Sequence, residues 1–102
     1  MTTKITVMYD NPEDPETFEA GYPDHLALAR KIPGIQRIES AKVWPKEDGS
    51  PTPAYRLLDL YFTDYEAASA AVTTAEAGVF LPDVFALATG GVRIVFADVE
   101  QS

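Results

Sequence analysis

One imidazole, one strand carboxylate and a scatter of aromatic rings are the groups in this chain with chemistry to offer. His25 is the only histidine, and there is no cysteine. It falls within Gly21-Tyr22-Pro23-Asp24-His25-Leu26-Ala27-Leu28-Ala29-Arg30-Lys31-Ile32-Pro33-Gly34, in the middle of an apolar helical stripe. Enclosed by apolar side chains, an imidazole has a displaced pKa and a fixed direction. Those properties suit a general acid or base, or a hydrogen-bond donor to a substrate carbonyl or phenolate. The position equally fits a core histidine satisfied by Tyr22, by Asp24 or by a neighbouring strand, and spacing alone does not separate the two.

Asp59 stands between Leu57 and Tyr61 on a strand that should be central. A carboxylate facing inward there must be paired, hydrogen-bonded or protonated. Arg93 is a candidate counter-ion, and an ion pair between two chains is the alternative to a catalytic part. Tyr9, Trp44, Tyr61, Phe80 and Phe85 could line a pocket for a flat molecule, although such residues are more often core. Val79-Phe80-Leu81 with Phe85 has the composition of a pocket lid. The expected site is therefore His25 as the catalytic group, with Tyr22, Trp44, Asp59, Tyr61 and Phe80 holding a substrate.

Other chemistries lack their residues. Asp10, Glu13, Asp14, Glu16 and Glu19 cluster, but their spacing fits no calcium loop and suits a solvated helix start. One histidine without cysteine does not build an ordinary zinc or iron site, and haem through His25 has nothing here that requires it. No glycine-rich loop opens a helix for a nucleotide, and no serine–histidine arrangement points to a hydrolase. No bound cofactor or metal is expected. The formal charge of −8 repels nucleic-acid backbones and anionic lipid. No apolar run reaches the length of a membrane span, so a cytoplasmic location is expected.

The elements that must position these groups are legible in the patterning. The 102 residues are enough for one domain, 1–102, and 46% of them are hydrophobic, which argues against disorder. Lys4 to Asp10 alternates as a strand. Asp14 with Pro15 reads as a cap and first-turn proline of a helix running to Ile32, where Pro33-Gly34 stops it. Pro23 falls inside that helix and predicts a kink or break near Gly21-Tyr22, with two helical pieces as the alternative. Ile35–Trp44 and Tyr55–Phe62 read as strands around a proline-rich loop, 45–53. Thr63-Asp64-Tyr65-Glu66 has capping-box spacing and opens an alanine-rich helix to about Glu76, which Gly78 ends. Pro82–Ala88 predicts a short extra helix, and Val92–Val99 a last strand.

The order β-α-β-β-α-(short α)-β is the split βαβ, or ferredoxin-like, α+β arrangement: a four-stranded antiparallel sheet with helices on one face. Such a sheet should alternate apolar and polar. Here Leu58, Leu60 and Phe62 share one face while Leu57 and Tyr61 take the other, and Val92, Ile94 and Phe96 oppose Val95, Ala97 and Val99. Two oily faces with helices for only one predict a homodimer, sheet against sheet.

Four segments resemble the EthD family, named for ethyl tert-butyl ether degradation. They are Lys4-Ile-Thr-Val-Met-Tyr9 with Asn11-Pro-Glu-Asp-Pro15 and Phe18; His25-Leu-Ala-Leu-Ala-Arg-Lys-Ile-Pro-Gly34; Leu60-Tyr-Phe-Thr-Asp-Tyr-Glu-Ala-Ala68; and Gly90-Gly91-Val92. The chain departs from the family's pattern at Ala27 and Gly21, where proline and tyrosine are common. The resemblance implies the dimeric α/β barrel fold, whose members include cofactor-free monooxygenases, cyclases, isomerases and haem enzymes. It implies an oxidoreductase by association only, since fold does not fix activity. The expectation is an enzyme working without a cofactor on a small hydrophobic, oxygen-bearing metabolite. The alternative is a non-catalytic binding or accessory protein of a degradative pathway.

Overall fold

A computed structural model describes residues 1–102. The strands are β1 (Thr3–Tyr9), β2 (Arg37–Lys42), β3 (Arg56–Phe62) and β4 (Val92–Asp98); the helices are α1 (Pro15–Arg30), α2 (Tyr65–Ala71) and α3 (Ala75–Leu87). The sheet order is β2-β3-β1-β4, antiparallel throughout, with β1 and β3 central as the ferredoxin-like arrangement requires.

Register explains which side chains meet. Ile5 lies between Leu60 and Phe96, and Val7 between Leu58 and Ile94. The period-two alternation of a strand therefore puts Thr3, Ile5, Val7 and Tyr9 on the helix side with Leu58, Leu60 and Phe62, and all seven are buried. Phe18, Tyr22, His25 and Ala29 meet them from one stripe of α1.

The opposite face is less oily than the alternation of β3 and β4 predicts. One row across it, Ala41–Leu57–Met8–Arg93, is mostly apolar. The next two, Glu39–Asp59–Thr6–Val95 and Arg37–Tyr61–Lys4–Ala97, carry a polar network. Apart from Asp59 on β3, the neighbouring strands β1 and β2 supply these charges (Lys4, Arg37 and Glu39), which are invisible when β3 and β4 are read alone.

Three helix boundaries differ from expectation, each for a local reason. α1 is unbroken through Pro23; its buried residues on either side and a clamp from Glu19 to Arg56 on β3 hold both halves to the sheet. Asp64, rather than Thr63, caps α2, accepting from the Ala67 amide at 2.8 Å. The alanine helix ends at Ala71, and Thr74 caps a new helix set at 78° to it. α3 then runs straight through Gly78 and Pro82. Asp14 caps α1 as predicted, with Pro15 in the first turn. Gly34 takes φ +89, the left-handed region that suits glycine, in the turn after α1. At Gly90 a Cβ would come within 1.9 Å of the Asn11 carbonyl oxygen, so only glycine fits where the turn before β4 crosses the loop after β1.

Candidate functional site

His25 is fully buried, and both of its ring nitrogens are engaged. Nδ1 lies 2.7 Å from Oδ2 of Asp83 on α3, and Nε2 lies 2.5 Å from Oη of Tyr9 at the end of β1. Three elements therefore converge: β1 carries the phenol, α1 the imidazole and α3 the carboxylate. α3 packs along α1, and its Phe80, one turn before Asp83, stacks on the imidazole with ring centroids 4.7 Å apart and planes at 21°. Phe18, Tyr22 and His25 all meet the Tyr9 ring nearly edge-on.

Chemistry fixes the direction of the bonds. An ionised carboxylate only accepts, so Nδ1 carries the hydrogen and the neutral ring accepts at Nε2 from the Tyr9 hydroxyl. Burial pulls the His25 pKa below the usual imidazole value, and the hydrogen bond and charge of Asp83 oppose that pull without cancelling it. Tyr9 is pushed well above the usual phenol range by burial first, then by Tyr22 and Asp83, so it remains a protonated phenol. The Asp83 side chain is 40% exposed. The three groups thus form a line from solvent to the interior.

Behind this line a second cluster holds Tyr22. Its hydroxyl is 2.7 Å from Ser40 Oγ, and the Arg56 guanidinium sits 4.3 Å from its ring centroid. Arg56 donates to both oxygens of Glu19 at 2.6 and 3.0 Å, and Tyr55 adds a bond to the same carboxylate at 3.1 Å. The hydrogen bond from Arg56 holds Glu19 below the usual carboxylate range, and Glu19 in turn holds Arg56 above the ordinary guanidinium value. Phe80 also forms part of the wall of a wholly apolar cavity of about 30 Å³, lined in addition by Val7, Ile32, Phe62, Leu81, Ile94, Phe96 and others.

Of the predicted site residues, the structure brings together His25, Tyr22 and Phe80. Asp59 and Tyr61 lie on the opposite face of the sheet. There Asp59 accepts from the Thr6 hydroxyl with Lys4 at 3.7 Å, and the Tyr61 hydroxyl donates to Glu39 at 2.7 Å. Arg93 is not the partner of Asp59; it pairs with Asp10 at 3.0 Å. Trp44 is 87% exposed on the connection between β2 and β3 and takes no part in the cluster around the imidazole. In the suggested lid, Phe80 and Leu81 line the cavity while Val79 and Phe85 face solvent. His25 is satisfied by Tyr9 on the neighbouring strand β1, one of the expected alternatives, and by Asp83, and not by Tyr22 or Asp24. Tyr9 was expected only in a pocket wall, and Asp83 had no expected part. The signal for Asp83 was its isolation: it is the one charged residue between Glu76 and Arg93. No group of three or more histidine and carboxylate side chains is arranged to hold a metal ion.

This architecture is a ferredoxin-like α+β fold in which one buried imidazole is flanked by a phenol and a carboxylate. No family model matches the chain. An 11.0 kDa uncharacterised protein from the thcB–thcC intergenic region of Rhodococcus erythropolis is 35% identical over 98 residues, covering 95% of this chain and 94% of that protein. The crystal structure of an EthD family protein from Bacillus halodurans superposes with a TM-score of 0.89 at 25% identity, covering 97% and 99% of the two chains. The chain belongs to the EthD family. The fold is shared more widely. SnoaB, a cofactor-independent oxygenase from Streptomyces nogalater, matches with a TM-score of 0.65 at 18% identity over 99% of this chain and 94% of its own. A dimeric ferredoxin-like protein of unknown function from Jannaschia matches at 0.73 and 19% identity, over 97% and 100% of the two chains.

Proposed function

We propose that the protein is an enzyme that works without a bound cofactor on a small hydrophobic, oxygen-bearing molecule, with His25 moving a proton or donating a hydrogen bond. The observation that carries this reading is the imidazole itself: fully buried, bonded at both nitrogens, and stacked on Phe80, a residue that also lines an apolar cavity. A carboxylate behind the ring fixes its tautomer, and burial keeps it neutral, with a lone pair able to take a proton in a dry site. SnoaB, a cofactor-independent oxygenase on the same fold, is consistent with oxygen as co-substrate. Oxidation, cyclisation, isomerisation and decarboxylation each use one proton transfer of this kind.

A homodimer is part of the proposal. The Jannaschia protein is dimeric, and the open sheet face here leaves Val95 exposed beside half-buried Met8 and Leu57. Sedimentation equilibrium at micromolar concentration tests it, and a monomer contradicts it.

One feature favours the second reading, a non-catalytic binding protein. The cavity is at most a tenth of the roughly 300–1,000 Å³ of ordinary ligand pockets. A ligand must therefore displace Phe80 and its neighbours. The test is to soak crystals with aromatic ketones and follow the ligand in solution. Turnover that His25→Gln abolishes in a folded protein supports the enzyme. A ligand bound beside His25 and returned unchanged supports the binding protein, and a ligand bound elsewhere contradicts both.

A further inference from the structure

We propose that the group touching the ligand is the Tyr9 phenol, and that the His25–Asp83 pair behind it sets whether that phenol accepts or donates a hydrogen bond. The inference rests on the reading that ligands enter beside His25. Both imidazole nitrogens are already taken by the protein, one by Asp83 and one by Tyr9. A ligand could reach Nε2 only by stranding the buried Tyr9 hydroxyl, and Nδ1 only by displacing Asp83 on the solvent side. The Tyr9 oxygen has a single partner, Nε2, and keeps free hydrogen-bonding capacity. It is also the inner end of the line, two residues from Val7 on the same face of β1, and Val7 lines the cavity.

The polarity follows from hydrogen counting. With a neutral ring, Tyr9 spends its one hydrogen on Nε2 and offers only lone pairs, so it suits a ligand hydroxyl. With a protonated ring, Nε2–H donates to the Tyr9 oxygen, and the phenolic hydrogen is free to turn to a ligand carbonyl. The ligand class is therefore an apolar body bearing one oxygen, bound as the hydroxyl form to the neutral site and as the carbonyl form to the cationic one. The groups facing the ring are Tyr9 from β1, Tyr22 from α1 and Asp83 from α3. Beyond Tyr22 lies the Glu19–Arg56 pair, whose lowered carboxylate pKa keeps it charged throughout the range tested. Asp83 is a positioning residue: it acts only through the ring.

The test uses two probes that do not titrate between pH 5 and 8, phenol and acetophenone, added to ¹⁵N-labelled protein whose single imidazole gives one pair of ring signals. Phenol affinity is expected to rise and acetophenone affinity to fall, each by about tenfold, as the pH climbs through the His25 transition. Tyr9→Phe should remove both trends while His25 still titrates. Asp83→Asn keeps an acceptor for Nδ1–H but loses the charge, and should move the crossing to lower pH. Parallel pH trends for the two probes, or opposed trends that survive in Tyr9→Phe, overturn the inference and leave the pocket standing. If neither probe perturbs the imidazole signals, the pocket reading falls and this inference falls with it.

Discussion

The two faces of the sheet each carry a carboxylate, a hydroxyl and a basic group, yet they are built for different ends. On the helix side Tyr9, His25 and Asp83 form a line sealed by Phe18, Tyr22 and Phe80. On the open side Thr6, Asp59 and Lys4 form a comparable trio with Glu39, Tyr61 and Arg37 beside it. The difference is water. In the single chain solvent on the open side can replace a lost partner and screen each charge, so the folding of one chain tolerates changes there. On the helix side a lost partner leaves a buried polar atom with nowhere to turn, so geometry and protonation become tightly specified.

The largest effect should come from removing the buried member. His25→Ala opens a cavity and strands the Tyr9 hydroxyl, and is expected to cost about 2–4 kcal/mol in urea unfolding. Asp59→Ala on the open face should cost about 1 kcal/mol or less. Equal losses would erase the contrast between the faces.

A second test concerns pH. Because folding lowers the His25 pKa, the unfolded chain takes up a proton first as the pH falls below about 6.5. This group's contribution is therefore complete above that pH and is lost as the pH drops toward the folded value, by about 1.4 kcal/mol for each unit of depression. Glu19 has the same slope lower down, below its ordinary value near 4.5, because Arg56 holds it ionised in the fold. Urea unfolding in the pH 5–7 window should show the first slope in the parent and lack it in His25→Gln.

Val95→Asp sharpens the open side. Val95 faces outward on β4, and a charge there should weaken self-association at least about tenfold by sedimentation, with the folding of each chain unchanged. Trp44→Ala should be the mildest change, within about 0.5 kcal/mol, because its ring faces solvent.

Much of the scaffold was legible because it depends on local patterning. The alternation of β1 and β3, the Asp14-Pro15 start of α1 and the apolar stripe holding His25 follow from spacing that a reader can count. The boundary between α2 and α3 was harder, since Gly78 and Pro82 look like stops and tertiary packing carries α3 through both. The site was half visible. Strand parity separates Asp59 and Tyr61 from Leu58, Leu60 and Phe62, and so places them away from the helices once β1 is aligned. Asp83 was hidden because it meets His25 across 58 residues of sequence, a pairing that only the packing of α3 on α1 creates.

The most direct test is ¹⁵N NMR of the one imidazole in the free protein. A sealed, doubly bonded ring predicts the Nδ1–H tautomer at pH 7 and a transition below the ordinary value near 6.5. A ring that titrates at or above 6.5, or carries its hydrogen on Nε2, contradicts the account.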